Sequence, residues 1–107
     1  GMTSHKRQIV TTIKSFKIVY DENKNERNVA ERSLSFDAVN EFDFDSALIK
    51  LDDRKPYPEL RYVALGLLDA RLHVLCFTPI EGGIRVISFR KANTREISHY
   101  AQNKTTD

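Results

Sequence analysis

A basic cluster near the end of the chain contains the residues best suited to chemistry. A strand-like run begins at Gly83 and is followed by the start of a helix. This stretch contains one acid, Glu96, and four basic residues: Arg85, Arg90, Lys91 and Arg95. A guanidinium group can grip two phosphate oxygens with its planar fork, and it stays charged at any working pH. Clustered arginines at the end of a sheet therefore predict a site for a phosphate.

The charge of the chain is unevenly distributed. Residues 1–53 hold 8 Lys/Arg and 10 Asp/Glu, a net charge of −2, whereas residues 54–107 hold 9 Lys/Arg and 5 Asp/Glu, a net charge of +4. The second half thus favours an anionic partner. The acidic residues between Asp37 and Asp53 would repel a polyanion, and they are either a solvated surface or a docking surface for a basic segment of a partner.

Cleavage of a phosphodiester without a metal needs a base for the attacking hydroxyl, stabilisation of the pentavalent phosphate and a proton for the leaving oxygen. Arg61 begins one predicted strand and Arg90 ends another, so we hypothesise that both converge on the scissile phosphate. Surface arginines also commonly form solvated ion pairs of little energetic weight, and this alternative stays open.

Glu96 is the best candidate for the general base. It also lies three residues after Asn93, the spacing of a capping box, which explains it without catalysis. Tyr100 could contact RNA or anchor the last helix. His73 lies in a strand among apolar residues and is typical of a structural histidine, and Cys76 is typical of a small core residue. No His or Cys pair has metal-ligand spacing, so we expect no metal or other cofactor.

The elements that must position these residues follow from hydrophobic spacing. Phe16 to Tyr20 is a strand candidate, Asp21 caps a polar helix that runs to about Arg32, and Ser35 caps a second helix. Four further strands follow at about 47–51, 61–68, 71–78 and 83–90, with a tight turn at 69–70, and the last helix begins after Asn93. The order predicts an α+β fold: a small antiparallel meander packed against two N-terminal helices and one C-terminal helix.

The length of 107 residues predicts one domain. We expect residues 1–15 to be an N-terminal extension, with one short helix at most and Gly1 as a tag remnant, 16–101 to be the domain, and 102–107 to be a frayed polar tail. The sequence shows neither a signal peptide nor a membrane span, and a single cysteine suits a reducing compartment, so we expect a cytoplasmic protein.

Several of these motifs together resemble the BrnT toxins of bacterial toxin–antitoxin systems. Tyr20 and Asp21, with Lys24 and Asn28, are similar to the family's opening W-D-x-x-K-x-x-x-N, with Tyr20 in place of Trp. Phe36 matches the Phe that follows the first helix of the family. Glu59, Arg61 and Gly66 resemble E-x-R-x-x-x-x-G, and the segment from Arg85 to Tyr100 resembles R-I-I-S-A-R-x-A-x-x-x-E-x-x-x-Y.

The resemblance implies a RelE-like fold and a metal-independent endoribonuclease that inhibits growth. It also implies a cognate antitoxin of ribbon-helix-helix type, with operator DNA bound only through that antitoxin. On this basis we assign catalysis to Arg61, Arg90 and Glu96, and RNA binding to a second group: Lys24, Arg85, Lys91, Arg95 and Tyr100.

One departure from the family pattern bears on activity. Where the family commonly shows K-H-G at the end of its first helix, this chain has Glu31, Arg32 and Ser33, so a permanent cation replaces a titratable imidazole. The alternative function is therefore a catalytically inactive module of the same fold that binds an antitoxin or nucleic acid as a co-repressor.

Overall fold

The computed structural model describes residues 16–105, so the predictions for residues 1–15 and for the last two residues of the tail lie outside the described part of the chain. The elements in chain order are β1 Lys17–Val19, α1 Glu22–Arg32, a 3-10 helix Phe36–Glu41, β2 Leu48–Leu51, β3 Tyr62–Leu68, β4 Arg71–Ile80, β5 Gly83–Lys91 and α2 Thr94–Thr105. The α+β class is confirmed. Within residues 16–105 no helix is long and apolar enough to cross a membrane.

The five strands form one mixed sheet in the order β1-β5-β4-β3-β2. Strands β2 to β5 pair antiparallel with their neighbours in sequence, as predicted, but β1 runs parallel to β5. The prediction of a purely antiparallel meander is therefore wrong. A parallel pair needs a long connection, and here α1, the 3-10 helix and three strands lie between the two partners.

Gly83 allows β1 to approach β5. Lys17 is its partner in the ladder, and a Cβ placed on Gly83 would lie 1.9 Å from the Lys17 carbonyl oxygen. The Lys17 amide donates to the Gly82 carbonyl at 2.8 Å. Any side chain at residue 83 would therefore push β1 away from the sheet.

The predicted caps begin the two N-terminal helices. The Asp21 side chain accepts a hydrogen bond from the Asn23 amide at 2.9 Å, and Ser35 accepts from the Asp37 amide at 3.1 Å. The helix after Ser35 is of the 3-10 type, which has three residues per turn and so matches the three-residue spacing of its apolar side chains. Local side-chain chemistry thus determines where both helices start.

The core lies between the 3-10 helix and one face of the sheet. Phe36, Val39 and Phe42 are buried there against side chains of the three central strands, which include Ala64, Leu75, Phe77, Val86 and Phe89. Gly66 makes room for Phe42, because a Cβ at residue 66 would lie 2.5 Å from the Phe42 ring. The core face is therefore covered, and the opposite face carries buried apolar side chains of β4, such as Val74 and Cys76, beside the polar side chains of β5.

The β3–β4 hairpin turns at Asp69 and Ala70, as predicted. Their φ angles are 51° and 65°, the left-handed values that a type I′ turn requires at both central positions. At the other end of the fold, α2 extends to Thr105, so the helix continues past the end of the predicted domain at residue 101.

Candidate functional site

The three predicted strand arginines share the face of the sheet opposite the core, which we call the second face and define by Val74, Cys76 and Ser88. Arg90 pairs with Val74 across the β4–β5 ladder, and Arg85 pairs with Thr78. Arg61 directly precedes Tyr62, whose partner Phe77 lies in the core, and side chains alternate along a strand. Arg61 therefore belongs to the second face as well.

The register separates Arg61 from Arg90 along the sheet. Arg61 and Arg85 flank β4 at the level of Thr78, whereas Arg90 lies at the level of Val74, four residues away. At the rise of a strand this separation is about 13 Å. Arg61 therefore lies nearer to Arg85 than to Arg90, although β4 separates it from both. The two strand spacings across β4 add about 10 Å of sideways separation, so one phosphate could contact both Arg61 and Arg90 only if both long side chains extended towards each other.

Arg61 is held by the loop that precedes β3. Its Nε donates to Glu59 Oε2 at 2.9 Å, and its guanidinium lies 4.0 Å from the centre of the Tyr57 ring. The hydrogen bond to Glu59 raises the pKa of Arg61. The side chain is one quarter exposed, with a relative accessibility of 25%. Arg61 is thus a pre-oriented cation whose ion pair a ligand would have to displace.

Arg90 and Glu96 form a bidentate ion pair between β5 and α2. The two Nη atoms of Arg90 donate to the two carboxylate oxygens at 2.9 and 2.8 Å. Glu96 also accepts from the Asn93 amide at 2.8 Å, and its own amide donates to Asn93 Oδ1 at 2.8 Å. The predicted capping box is therefore confirmed, and the same carboxylate holds the guanidinium of Arg90 at the start of α2.

The protonation of Glu96 follows from these contacts. The hydrogen bond from Arg90, with a smaller contribution from the Asn93 amide, holds the pKa of Glu96 below its usual range against the opposing effect of burial. A carboxylate with a lowered pKa is a weak base at neutral pH. Glu96 would therefore become a better base once a ligand took its place on Arg90.

A shallow depression of about 280 Å³ lies beside this ion pair and is lined by Arg32, Leu34, Arg90 and Lys91. Three of its four lining residues are cations. Arg32, at the end of α1, donates from Nη1 to Asn28 Oδ1 at 2.5 Å. Arg32, where the sequence was expected to depart from the family pattern, thus borders the same depression as Arg90.

Asn28 fixes α1 to the edge of this depression. Its side chain is buried, and its Nδ2 donates to the carbonyl of Leu34 at 2.9 Å and to that of Phe89 at 3.0 Å. Phe89 is the strand neighbour of Arg90. One buried amide therefore sets the distance between the end of α1 and the phosphate-binding candidate on β5.

The other predicted RNA-binding residues are more dispersed. Lys24 is half-buried on α1, while Arg85, Lys91 and Arg95 are exposed. The Tyr100 hydroxyl donates to the Ser46 carbonyl at 3.1 Å, a contact that supports the anchoring alternative for this residue. The assignment of all five to RNA binding stays a prediction.

The remaining titratable candidates lie in structural positions. His73 is buried, and its Nδ1 lies 2.9 Å from the Arg71 carbonyl, which can only accept, so Nδ1 carries the proton. Cys76 is a buried free thiol whose pKa is raised by burial. Within residues 16–105 no group of three or more potential ligands could hold a metal ion.

Sequence reasoning missed Arg27 as a site residue and treated Arg32 only as a lost histidine. Both line a second depression of about 160 Å³ that adjoins α1; the other lining residues are Lys24, Asn28, Glu31, Phe36, Ile87 and Ser88. The signal was present, because Lys24, Arg27, Asn28 and Glu31 follow the i, i+3, i+4, i+7 spacing of one helical face.

The cations of the site are suited to binding phosphate groups, and comparison with protein families gives the class of the protein. Residues 20–96 match the model of the family described as ribonuclease toxin, BrnT, of type II toxin–antitoxin system. The match covers most of the chain, which therefore belongs to the BrnT family of ribonuclease toxins. Membership of a type II toxin–antitoxin family implies an RNA substrate and an antitoxin partner. Comparison with curated proteins finds no significant match.

Proposed function

We propose that the chain is a metal-independent endoribonuclease toxin that acts in the cytoplasm and is neutralised by a cognate antitoxin of ribbon-helix-helix type. The observation that carries the proposal is the bidentate Arg90–Glu96 pair beside the depression that Arg32 and Lys91 line. Both members of the pair lie within the residues that match the family. The Glu96 carboxylate accepts hydrogen bonds from both Nη atoms of Arg90, as two oxygens of a phosphate would.

In the proposed reaction the scissile phosphate replaces Glu96 on Arg90. The guanidinium then stabilises the charge that develops on the pentavalent phosphate, and Arg61 contributes from the other end of the second face once it leaves Glu59. Glu96 keeps its bond from the Asn93 amide but loses the contact that lowers its pKa. It is then a better acceptor for the proton of the attacking 2′-hydroxyl. The 2′-oxygen bonds to phosphorus as the bond from phosphorus to the 5′-oxygen breaks, and the leaving 5′-oxygen takes a proton from solvent, which leaves a 2′,3′-cyclic phosphate.

A second candidate function is favoured by Arg32. If relatives use a histidine at this position for proton transfer, a guanidinium cannot replace it, because arginine does not lose its proton at a working pH. The protein would then retain the fold as an inactive module that binds an antitoxin or nucleic acid as a co-repressor. In either case operator DNA would be contacted only through the antitoxin.

Cleavage of a labelled RNA in the presence of EDTA tests the proposal. We expect the purified protein to cut the RNA, and both Arg90→Ala and Arg61→Ala to lose at least tenfold in rate, with Lys50→Ala on the far edge strand as the control that keeps wild-type activity. Wild-type rates for both arginine variants would reject the assigned site. Absence of cleavage by the wild type, combined with cleavage after Arg32→His, would establish the inactive module.

Inducible expression in a bacterial host tests the biological role. We expect growth arrest that co-expression of the neighbouring gene relieves. Normal growth with the toxin expressed alone, under conditions in which the folded protein accumulates, would contradict the assignment as a toxin.

A further inference from the structure

Two depressions lie next to each other between α1 and β5. The first is lined by Arg32, Leu34, Arg90 and Lys91, and the second is lined in part by Lys24, Arg27 and Arg32. Arg32 lines both depressions and is therefore the side chain that they share. We call the combined feature the α1–β5 groove. It is bordered by five cations and one acid, Glu31.

Most of these cations form no salt bridge with another residue of the range 16–105. Among residues 16–105, the salt bridges join Arg54 to Asp52, Arg61 to Glu59 and Arg90 to Glu96. The other four cations of the groove, Lys24, Arg27, Arg32 and Lys91, therefore have no carboxylate within ion-pair distance in the described part of the chain. Neighbouring cations repel one another, and a polyanion laid along them would relieve that repulsion.

The shape of the groove favours a single strand of nucleic acid. Lys24 and Arg32 are eight residues apart on α1, which corresponds to about 12 Å along the helix axis, the length of a few nucleotides. Leu34 and Ile87 add apolar side chains to the lining, and Ser88 adds an exposed hydroxyl. A positively charged groove that tracks the backbone is one of the two features of single-strand binding sites, the other being aromatic side chains on which bases stack.

Hydrogen bonds also connect the two sides of the groove. Asn28 ties α1 to the backbone of β5, and the same side chain accepts the hydrogen bond that orients Arg32. A phosphate bound by Arg32 would thus have a fixed position relative to Arg90. This arrangement orders the cations from Lys24 through Arg32 to the candidate catalytic arginine.

We propose that the α1–β5 groove binds the backbone of single-stranded RNA that flanks the phosphate at Arg90, with Lys24, Arg27 and Arg32 as phosphate contacts. The proposal rests on the proposed function for the identity of the substrate. It differs from the sequence-based expectation because it adds Arg27 and Arg32 to Lys24 and directs the flanking RNA along α1, away from Arg85 on the second face of the sheet.

The test is RNA binding measured without cleavage. A fluorescein-labelled single-stranded oligoribonucleotide with 2′-O-methyl sugars, which has no 2′-hydroxyl to attack, is titrated in an anisotropy assay at several salt concentrations. For Lys24→Ala/Arg27→Ala we expect about tenfold weaker binding and a salt slope that is smaller by about 1.4, since each single-strand phosphate contact contributes about 0.7. Lys50→Ala is the control, because Lys50 is an exposed lysine of β2 at the opposite edge of the sheet.

Three outcomes would overturn the proposal: wild-type affinity and slope for the double variant, an equal loss for Lys50→Ala, or tighter binding of an RNA duplex than of the single strand. Thermal unfolding of each variant confirms that the fold is retained. Because the probe cannot be cut, a failure of the proposed catalytic function leaves this measurement unaffected, and a failure of the groove leaves the cleavage assay unaffected.

Discussion

Replacing Glu96 with glutamine separates the roles that its carboxylate combines. Glutamine has nearly the same shape and also completes a capping box, so the start of α2 keeps its bond from the Asn93 amide. The substitution removes the charge that binds both Nη atoms of Arg90 and the oxygen that could accept a proton. The Glu96→Gln variant should therefore be slightly less stable, bind RNA more tightly and cleave it more slowly than the wild type.

The structure sets the size of each response. The Arg90 side chain is 37% exposed and that of Glu96 is 25% exposed, so solvent screens the pair. A bidentate but screened pair contributes about 0.5–1 kcal/mol, which lowers the melting temperature by a few degrees. In the Glu96→Gln variant, RNA no longer has to displace a carboxylate from Arg90. The affinity for RNA should therefore rise by up to about fivefold, which is the pair's energy of about 1 kcal/mol expressed as a ratio of dissociation constants. Cleavage should fall by about 10²- to 10⁴-fold if Glu96 is the base.

Three measurements on one Glu96→Gln preparation test this reasoning: thermal unfolding, anisotropy with the 2′-O-methyl oligonucleotide, and cleavage of the corresponding RNA. Glu81→Gln removes the same charge at the opposite end of β5 and is the matched control. Wild-type cleavage by Glu96→Gln would refute the role as a base. Unchanged or weaker RNA binding would refute the competition between Glu96 and phosphate for Arg90.

Three further predictions concern the fold. Ala70→Gly should raise the free energy of unfolding by about 0.5–1 kcal/mol, because Ala70 has a φ of 65°, which glycine adopts without steric cost. Ala101→Gly within α2 is the control and should lower the free energy of unfolding. Thermal unfolding measures both changes, and changes of the same sign would contradict the argument. Gly83→Ala should detach β1, so that hydrogen exchange of the Lys17 amide accelerates while β4 stays protected; unchanged exchange would show that the pairing tolerates a Cβ. The Arg54 hydrogen bond lowers the pKa of Asp52 to about 2, below the value of about 3.9 for an unfolded chain, so its stabilisation is present above about pH 4 and is lost as the pH falls through about 2. The stability difference between wild type and Asp52→Asn, followed by thermal unfolding, should therefore shrink between pH 4 and pH 2; a constant difference would contradict the assignment.

Local features of this protein were predictable because they depend on residues close in sequence. The Asp21 and Ser35 caps, the capping box at Asn93 and the turn at Asp69 each involve contacts within three residues, and all are confirmed. The burial of the apolar side chains of the 3-10 helix followed from the same short-range spacing.

Pairing between distant segments was not predictable in the same way. The short strand β1 has a strand pattern but no local signal for its partner, and a purely antiparallel sheet was expected for that reason. The parallel pair with β5 depends on the path of the chain through α1 and the 3-10 helix and on the absence of a side chain at Gly83.

The same division applies to the candidate site. The sequence by itself determined the chemical types: a basic strand end, an acid three residues after a cap, and motifs that placed the chain in its family. Only the tertiary structure decided which cations are neighbours. It placed Arg61 about four residues along the sheet from Arg90, paired Arg90 with Glu96, and brought Arg32 from the end of α1 to the same depression. The physical reason is that a phosphate site needs charges held together in space, and here the buried amide of Asn28, 61 residues from Phe89 in sequence, holds them there.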